Sequence, residues 1–145
     1  MALNSDIQAL IEGLNEDLAN EYAAIITYTY NAAMVSGLSR PILKEFFENE
    51  AQDEIKHASY LSEKIAALGG LPVVKPSEVK QATEVREMLE NAIQDEEATI
   101  KRYMQRIKEA EKAQQYGLKI DLEDMVADES NHKEELQRLL NDPRL

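Results

Sequence analysis

The sequence predicts an all-α protein, a four-helix bundle in which two antiparallel hairpins are joined by one long crossover. Three observations carry this. Charged residues are 30% of 145 positions while glycine and proline total nine (5 + 4), a composition that favours long helices over sheets. Apolar residues recur at heptad-like spacing in four stretches. The two halves of the chain also match one another at a fixed offset of 75 residues.

The first helix begins near Ser5, where Ser5-x-x-Gln8 resembles a capping box. Its apolar face runs Ile7, Leu10, Leu14, Leu18, Ile25, Tyr28, and Glu21 falls on that face, where a buried residue belongs. Ser36-Gly37 ends it. The second helix starts at Ser39 with Pro41 in its first turn and carries Leu43, Phe47, Glu50, Glu54, His57, Leu61 and Ile65 before Gly69-Gly70 stops it. The third starts near Thr83, carries Leu89, Ile93, Glu96, Ile100, Tyr103 and Ile107, and ends at Tyr116-Gly117. The fourth starts around Asp121, carries Leu122, Met125, Glu129, His132, Leu136 and Leu139, and ends at Asn141-Asp142-Pro143.

The links at 36–39 and 117–120 are short, which makes each helix pair an antiparallel hairpin. The segment from Leu71 to Ala82 is long and its Leu-Pro-Val-Val-Lys-Pro run favours extended backbone. Counted from Gly69 it reaches up to ~46 Å, against ~42 Å for a helix of ~28 residues. It can therefore run the length of the bundle and leave the second and third helices parallel.

Length is consistent with a single domain over 1–145. The absence of cysteine excludes disulfides, iron–sulfur clusters and cysteine metal sites. No apolar run approaches a membrane span, and Met1-Ala-Leu-Asn-Ser-Asp lacks the basic and apolar regions of a signal peptide, so a soluble cytoplasmic protein is expected. A net charge of −12 argues against a nucleic-acid partner.

The chemistry is concentrated at the two histidines, each three residues after a glutamate: Glu54-Ile55-Lys56-His57 and Glu129-Ser130-Asn131-His132. On a helix that spacing puts carboxylate and imidazole on one face. Two such motifs plus one Glu from each of two other helices form the ligand set of carboxylate-bridged dimetal bundles. Glu21 and Glu96 supply the latter. The repeat aligns Glu21 with Glu96, Glu54 with Glu129 and His57 with His132, each 75 apart, together with Leu14/Leu89, Ile25/Ile100, Tyr28/Tyr103 and Leu61/Leu136. Ligands and apolar positions repeating together point to two related hairpins.

Four ionised carboxylates in a bundle core would repel one another, and without metal their pKa values should rise. Two divalent cations neutralise them. Oxygen ligands with two imidazoles suit iron or manganese, and zinc is a third candidate. Glu97 neighbours Glu96 but is rotated by ~100° toward solvent. Tyr28 and Tyr103 are each either a core aromatic bonded to a ligand carboxylate or a redox-active tyrosine. Glu50 is a candidate for an accessory metal or access site, outside the symmetric set because its repeat mate is Met125.

On these motifs the chain resembles the ferritin-like superfamily, and within it bacterioferritin most, over about residues 5–141. The stretch Leu68-Gly69-Gly70-Leu71-Pro72 and Tyr28 share in the resemblance. It implies that Glu21 and Glu96 are terminal ligands, that Glu54 and Glu129 bridge two irons, and that His57 and His132 bind one iron each. It implies ferroxidation, in which Fe(II) is oxidised by oxygen or hydrogen peroxide, in a homo-oligomer. Ile55 stands where that family places its haem-ligating methionine, so no haem is expected. That family's inner-surface iron site would fall at Asn49 and Asp53, where Asn49 replaces the usual histidine. The chain stops at Leu145 without a short fifth helix, which leaves a storage cage an open expectation.

Three other readings compete. A rubrerythrin-like peroxide reductase would carry a Glu at position 99, where Thr99 stands. A manganese or oxygenase-type enzyme would need a substrate channel. A non-metal helical interaction module would bind no metal at all.

Overall fold

A computed structural model describes residues 4–145, so the expectation about a leader at residues 1–3 lies outside the described residues. Four helices follow one another: α1 Ser5–Met34, α2 Arg40–Ala67, α3 Val85–Lys112 and α4 Tyr116–Leu140, with no strand among the described residues. The fold is the expected one. α1 packs extensively along α2 and α3 along α4, while α1 meets α3 less closely and α2 meets α4 only sparsely.

Three local readings change. The cap of α1 is Asn4, whose Oδ1 accepts from the Ile7 amide at 2.8 Å, and Ser5 lies inside the first turn. An Asn oxygen caps as well as a Ser hydroxyl, so the capping reading moves by one residue. α3 ends at Lys112, and α4 begins at Tyr116, about a turn before Asp121. The reversal is made by Gln114 at φ 59°, with the Gln115 amide bonding back to Ala110 O at 2.8 Å, and Gly117 is simply helical. The core face of α3 is also rotated: Ala92, Thr99 and Arg106 are buried, whereas Ile93, Ile100 and Ile107 flank them half-buried.

The turn after α2 uses both its glycines. Gly69 takes φ 91°, and a Cβ on Gly70 would stand 2.6 Å from Ile11 Cγ2. The crossover then lies along α1 in the same direction. Asn15 donates to Leu71 O at 3.2 Å and accepts from the Val73 amide at 2.9 Å, the Ser77 amide reaches Ala19 O at 2.9 Å, and Tyr30 donates to Ala82 O at 2.8 Å. These bonds satisfy backbone groups that no regular element pairs.

Two apolar clusters fill the ends of the bundle. One holds Leu14, Leu18, Leu61, Tyr103 and Leu122; the other holds Tyr28, Phe47, Leu89 and Leu136. On every helix the acidic candidates fall between them: Glu21 on α1, Glu54 and His57 on α2, Glu96 on α3, Glu129 and His132 on α4. The apolar ends thus fix the register that brings the polar middle together. A buried ion pair locks α1 to α3 near the first cluster. Arg106 donates to Asp17 through Nε at 2.8 Å and Nη2 at 3.2 Å, and Gly13 leaves the room: a Cβ there would sit 1.9 Å from Arg106 Nη1.

Candidate metal centre

All six candidate ligands are buried in the middle of the bundle. Their donor atoms form two overlapping groups, Glu21, Glu54, His57 and Glu129, and Glu54, Glu96, Glu129 and His132, each with all its donor atoms within 4.8 Å of one another. Glu54 and Glu129 belong to both. His57 Nδ1 lies 3.7 Å from Glu54 Oε1, 3.0 Å from Glu129 Oε1 and 3.9 Å from Glu21 Oε2. His132 Nδ1 lies 3.5 Å from Glu54 Oε1, 3.8 Å from Glu129 Oε1 and 3.9 Å from Glu96 Oε2. One oxygen from each shared carboxylate therefore sits between the two imidazoles.

The atoms facing this centre are left without hydrogen-bond partners. They include Glu21 Oε2, Glu54 Oε1, Glu96 Oε2, both oxygens of Glu129 and His57 Nδ1, all buried. Orphaned buried acceptors are costly, and such a concentration has a ready physical explanation in cations that bind them. Carboxylate and imidazole donors in groups of four fit a pair of hard-to-borderline divalent ions.

The outward-facing atoms are by contrast engaged. Tyr28 Oη donates to Glu96 Oε1 at 2.7 Å, and Tyr103 Oη donates to Glu21 Oε1. Each tyrosine thus holds a buried glutamate of the other half. The remaining nitrogens pair in the same crossed way: His57 Nε2 is 3.2 Å from Asp128 Oδ2, and His132 Nε2 is 3.2 Å from Asp53 Oδ2. In the tautomer that gives Nε2–H to the aspartate, Nδ1 has its lone pair for a metal, and a metal bound there would displace any proton on it. Asp53 and Asp128 are 75 apart, so the repeat carries this pair too, a signal that sequence reasoning passed over when it aligned only ligands and apolar positions.

Glu50 is buried on the α2–α4 side, with Oε2 2.9 Å from His132 Nδ1, and forms a third group with Asp53 and His132. Glu97 is outside the centre, half-exposed and paired with Lys133 at 3.3 Å.

Electrostatics follow from this crowding. Burial, then repulsion from Glu21 and Glu129, lifts the Glu54 carboxyl well above its ordinary value. Burial and contact with Glu129 lift Glu96, and burial lifts Glu129. Burial disfavours a charge on His132, yet the carboxylates of Glu50, Glu129 and Glu96 outweigh it and raise its pKa to about 9. Burial and adjacent carboxylates push Tyr28 and Tyr103 upward, so both stay neutral donors.

The comparisons agree with this architecture. A family model described as the ferritin-like domain matches residues 11–145. A bacterial ferritin of Neisseria meningitidis serogroup B is 28% identical over 137 residues, covering 92% of this chain and 89% of that protein. A bacterial ferritin of Pseudomonas aeruginosa is 33% identical over 81 residues, 56% of this chain and 53% of that one. Among solved structures, a chain described as ferritin-like, diiron-carboxylate proteins from Bacillus anthracis is 59% identical, with a TM-score of 0.93 over 95% of this chain and 99% of its own. A match over nearly the whole sequence makes this protein a member of the ferritin-like domain family.

Proposed function

We propose that this chain binds two iron ions side by side in the bundle and oxidises Fe(II), its substrate, with oxygen or hydrogen peroxide. The observation that carries the reading is the sharing of Glu54 and Glu129 between two four-residue groups, each completed by one histidine and one further glutamate. Relatives described as bacterial ferritins and a neighbour described as diiron-carboxylate support iron over manganese or zinc.

In this reading Glu54 and Glu129 bridge the ions, and Glu21 with His57, and Glu96 with His132, complete one end each. Asp53 and Asp128 hold the imidazoles in the tautomer that leaves Nδ1 free, and Tyr28 and Tyr103 orient the end carboxylates. Two adjacent Fe(II) ions release two electrons together, which with two protons reduce oxygen to hydrogen peroxide, or hydrogen peroxide to two waters. One-electron reduction products are thereby avoided. A tyrosine would give up an electron together with its phenolic proton, becoming a neutral radical, only in place of one of the two Fe(II) electrons; a Tyr28→Phe variant that keeps iron affinity but slows oxidation separates this role from orientation.

The test is anaerobic Fe(II) titration followed by oxygen, read by near-ultraviolet absorbance, with the same sample on a sizing column. Rapid oxidation saturating at two irons per chain is expected, and replacing Glu54 with Ala should abolish it. Uptake far beyond two in a large particle would add storage to the activity. No binding, or a Glu54→Ala variant as fast as the parent, would overturn the reading.

A further inference from the structure

The candidate metal centre is flanked by two sides of different chemistry. On the α2–α4 side the histidine edges end in Asp53 and Asp128, whose side chains are 44% and 59% exposed, with Glu50 behind them. That side is acidic and suits an incoming cation. Between α1 and α3 lies something else, a cavity of about 60 Å³ that reaches Tyr28 and Glu96.

Its composition is graded. The walls are small side chains, Ala23 and Thr27 of α1 and Ala92 of α3 among them, and Ala24 is half-buried beside them. Glu96 lines the cavity, is buried, and has Oε2 unpaired. Toward solvent stand Glu78, Asp95 and Arg102. Asp95 is paired with Lys80 at 3.2 Å, and the Arg102 guanidinium donates to Thr99 Oγ1 at 2.9 Å. With Lys80 paired to Asp95 and Arg102 in the wall, this mouth is less acidic than the α2–α4 side and draws a metal ion less strongly. A water-sized molecule needs roughly 10–15 Å³ of such space, whereas organic ligands take pockets of about 300–1,000 Å³. The cavity holds a few small molecules and no organic substrate.

We propose that the α1–α3 cavity is the port for the oxidant, a neutral molecule with an O–O bond, separate from the acidic α2–α4 route for Fe(II). This rests on the proposed ferroxidase reading. The port delivers oxygen or hydrogen peroxide to the Glu96 end of the centre. There two Fe(II) become two Fe(III), and the oxidant takes up two electrons and two protons, giving hydrogen peroxide from oxygen or two waters from peroxide. The small size of Ala24, Thr27 and Ala92 is what keeps the passage open, and no bulky substrate can follow.

Ala24→Leu fills the cavity from a half-buried position, and Ala66→Leu on the exposed face of α2 serves as the control. Three readouts separate the outcomes: Fe(II) binding without oxygen, the second-order rate constant for oxidation by oxygen and by peroxide, and xenon occupancy in crystals of metal-free protein. The port predicts xenon between α1 and α3 in the parent and none in Ala24→Leu, unchanged iron stoichiometry, and a rate constant lower by roughly tenfold for oxygen, with a similar loss for peroxide. Oxidation at the parent rate in Ala24→Leu would overturn the port, as would loss of iron binding together with rate, because that is damage to the centre. A parent that binds no iron or oxidises none would defeat the ferroxidase reading. Xenon absent from the parent would defeat the port whatever the iron result.

Discussion

His57 Nε2 lies 3.2 Å from Asp128 Oδ2, and the repeat reproduces the contact as His132 with Asp53 at the same distance. Each aspartate precedes the glutamate of its own Glu-x-x-His motif but serves the histidine of the other. The two hairpins are thus tied across the α2–α4 opening, where direct helix contact is sparse. An aspartate that accepts from Nε2–H fixes the tautomer and raises the basicity of Nδ1. Asp128→Asn keeps the shape and removes the charge. Metal affinity at the His57 end is expected to fall about 10–100-fold, with helix content unchanged. Competition against a chelator of known affinity measures this; undiminished affinity would deny Asp128 a positioning role.

The metal-free protein should lose stability as pH rises. Glu54, Glu96 and Glu129 have raised carboxyl pKa values, so over a range above their ordinary 4.5 the folded chain retains protons that the unfolded chain has released. His132, raised from 6.5 to about 9, does the same between those values. In both cases the folded state binds more protons, so stability is highest at mildly acid pH and declines toward pH 9. The net charge of −12 pushes the same way through self-repulsion. A Glu54→Gln variant separates the two, because it removes one buried titration and should flatten the slope of Tm against pH. A Tm that climbs from pH 6 to pH 9 would contradict the assignment.

Gly13 offers a test by sign. In an ordinary helix interior Gly→Ala stabilises by about 1 kcal/mol. Here the new Cβ would collide with the guanidinium of Arg106, which is held by two hydrogen bonds to buried Asp17. Gly13→Ala is expected to destabilise, since displacing one partner of a buried pair costs about 3–5 kcal/mol. In an Arg106→Met background the obstruction is relieved and the same Ala should become neutral or favourable. Urea unfolding of the four proteins closes the cycle; a stabilising Gly13→Ala in the parent would refute the packing argument.

The fold was legible because periodicity and chain length act over whole helices. Heptad spacing located four elements, and the reach of the 71–82 segment set their connectivity. The gathering of the six candidate residues was legible because a carboxylate on an apolar face is a local contradiction, and the 75-residue repeat posed it twice. What resisted reading was decided between helices. Thr99 and Arg106 do not look like core residues, yet both are buried, Arg106 because α1 offers Asp17 and the room left by Gly13. Gly117 advertises a helix end, but the chain reversed at Gln114, whose positive φ no residue preference foretells. The aspartates that hold the histidines act across the bundle, so heptad spacing within one helix is blind to them.

The sharing of Glu54 and Glu129 between two groups predicts how metal stoichiometry responds to single changes. Glu96 belongs to one group and leaves Glu21, Glu54, His57 and Glu129 intact when removed. Glu96→Ala should therefore keep one tight divalent ion per chain and lose the other. Glu54 belongs to both groups, so Glu54→Ala removes an oxygen from each end and should weaken both ions together. Anaerobic calorimetric titration with Co(II), which is slow to oxidise in such a site, distinguishes the patterns without requiring turnover. Two separate ion sites that share no ligand would respond alike to either change. One ion lost in Glu96→Ala and both weakened in Glu54→Ala is the response that only a bridged pair gives.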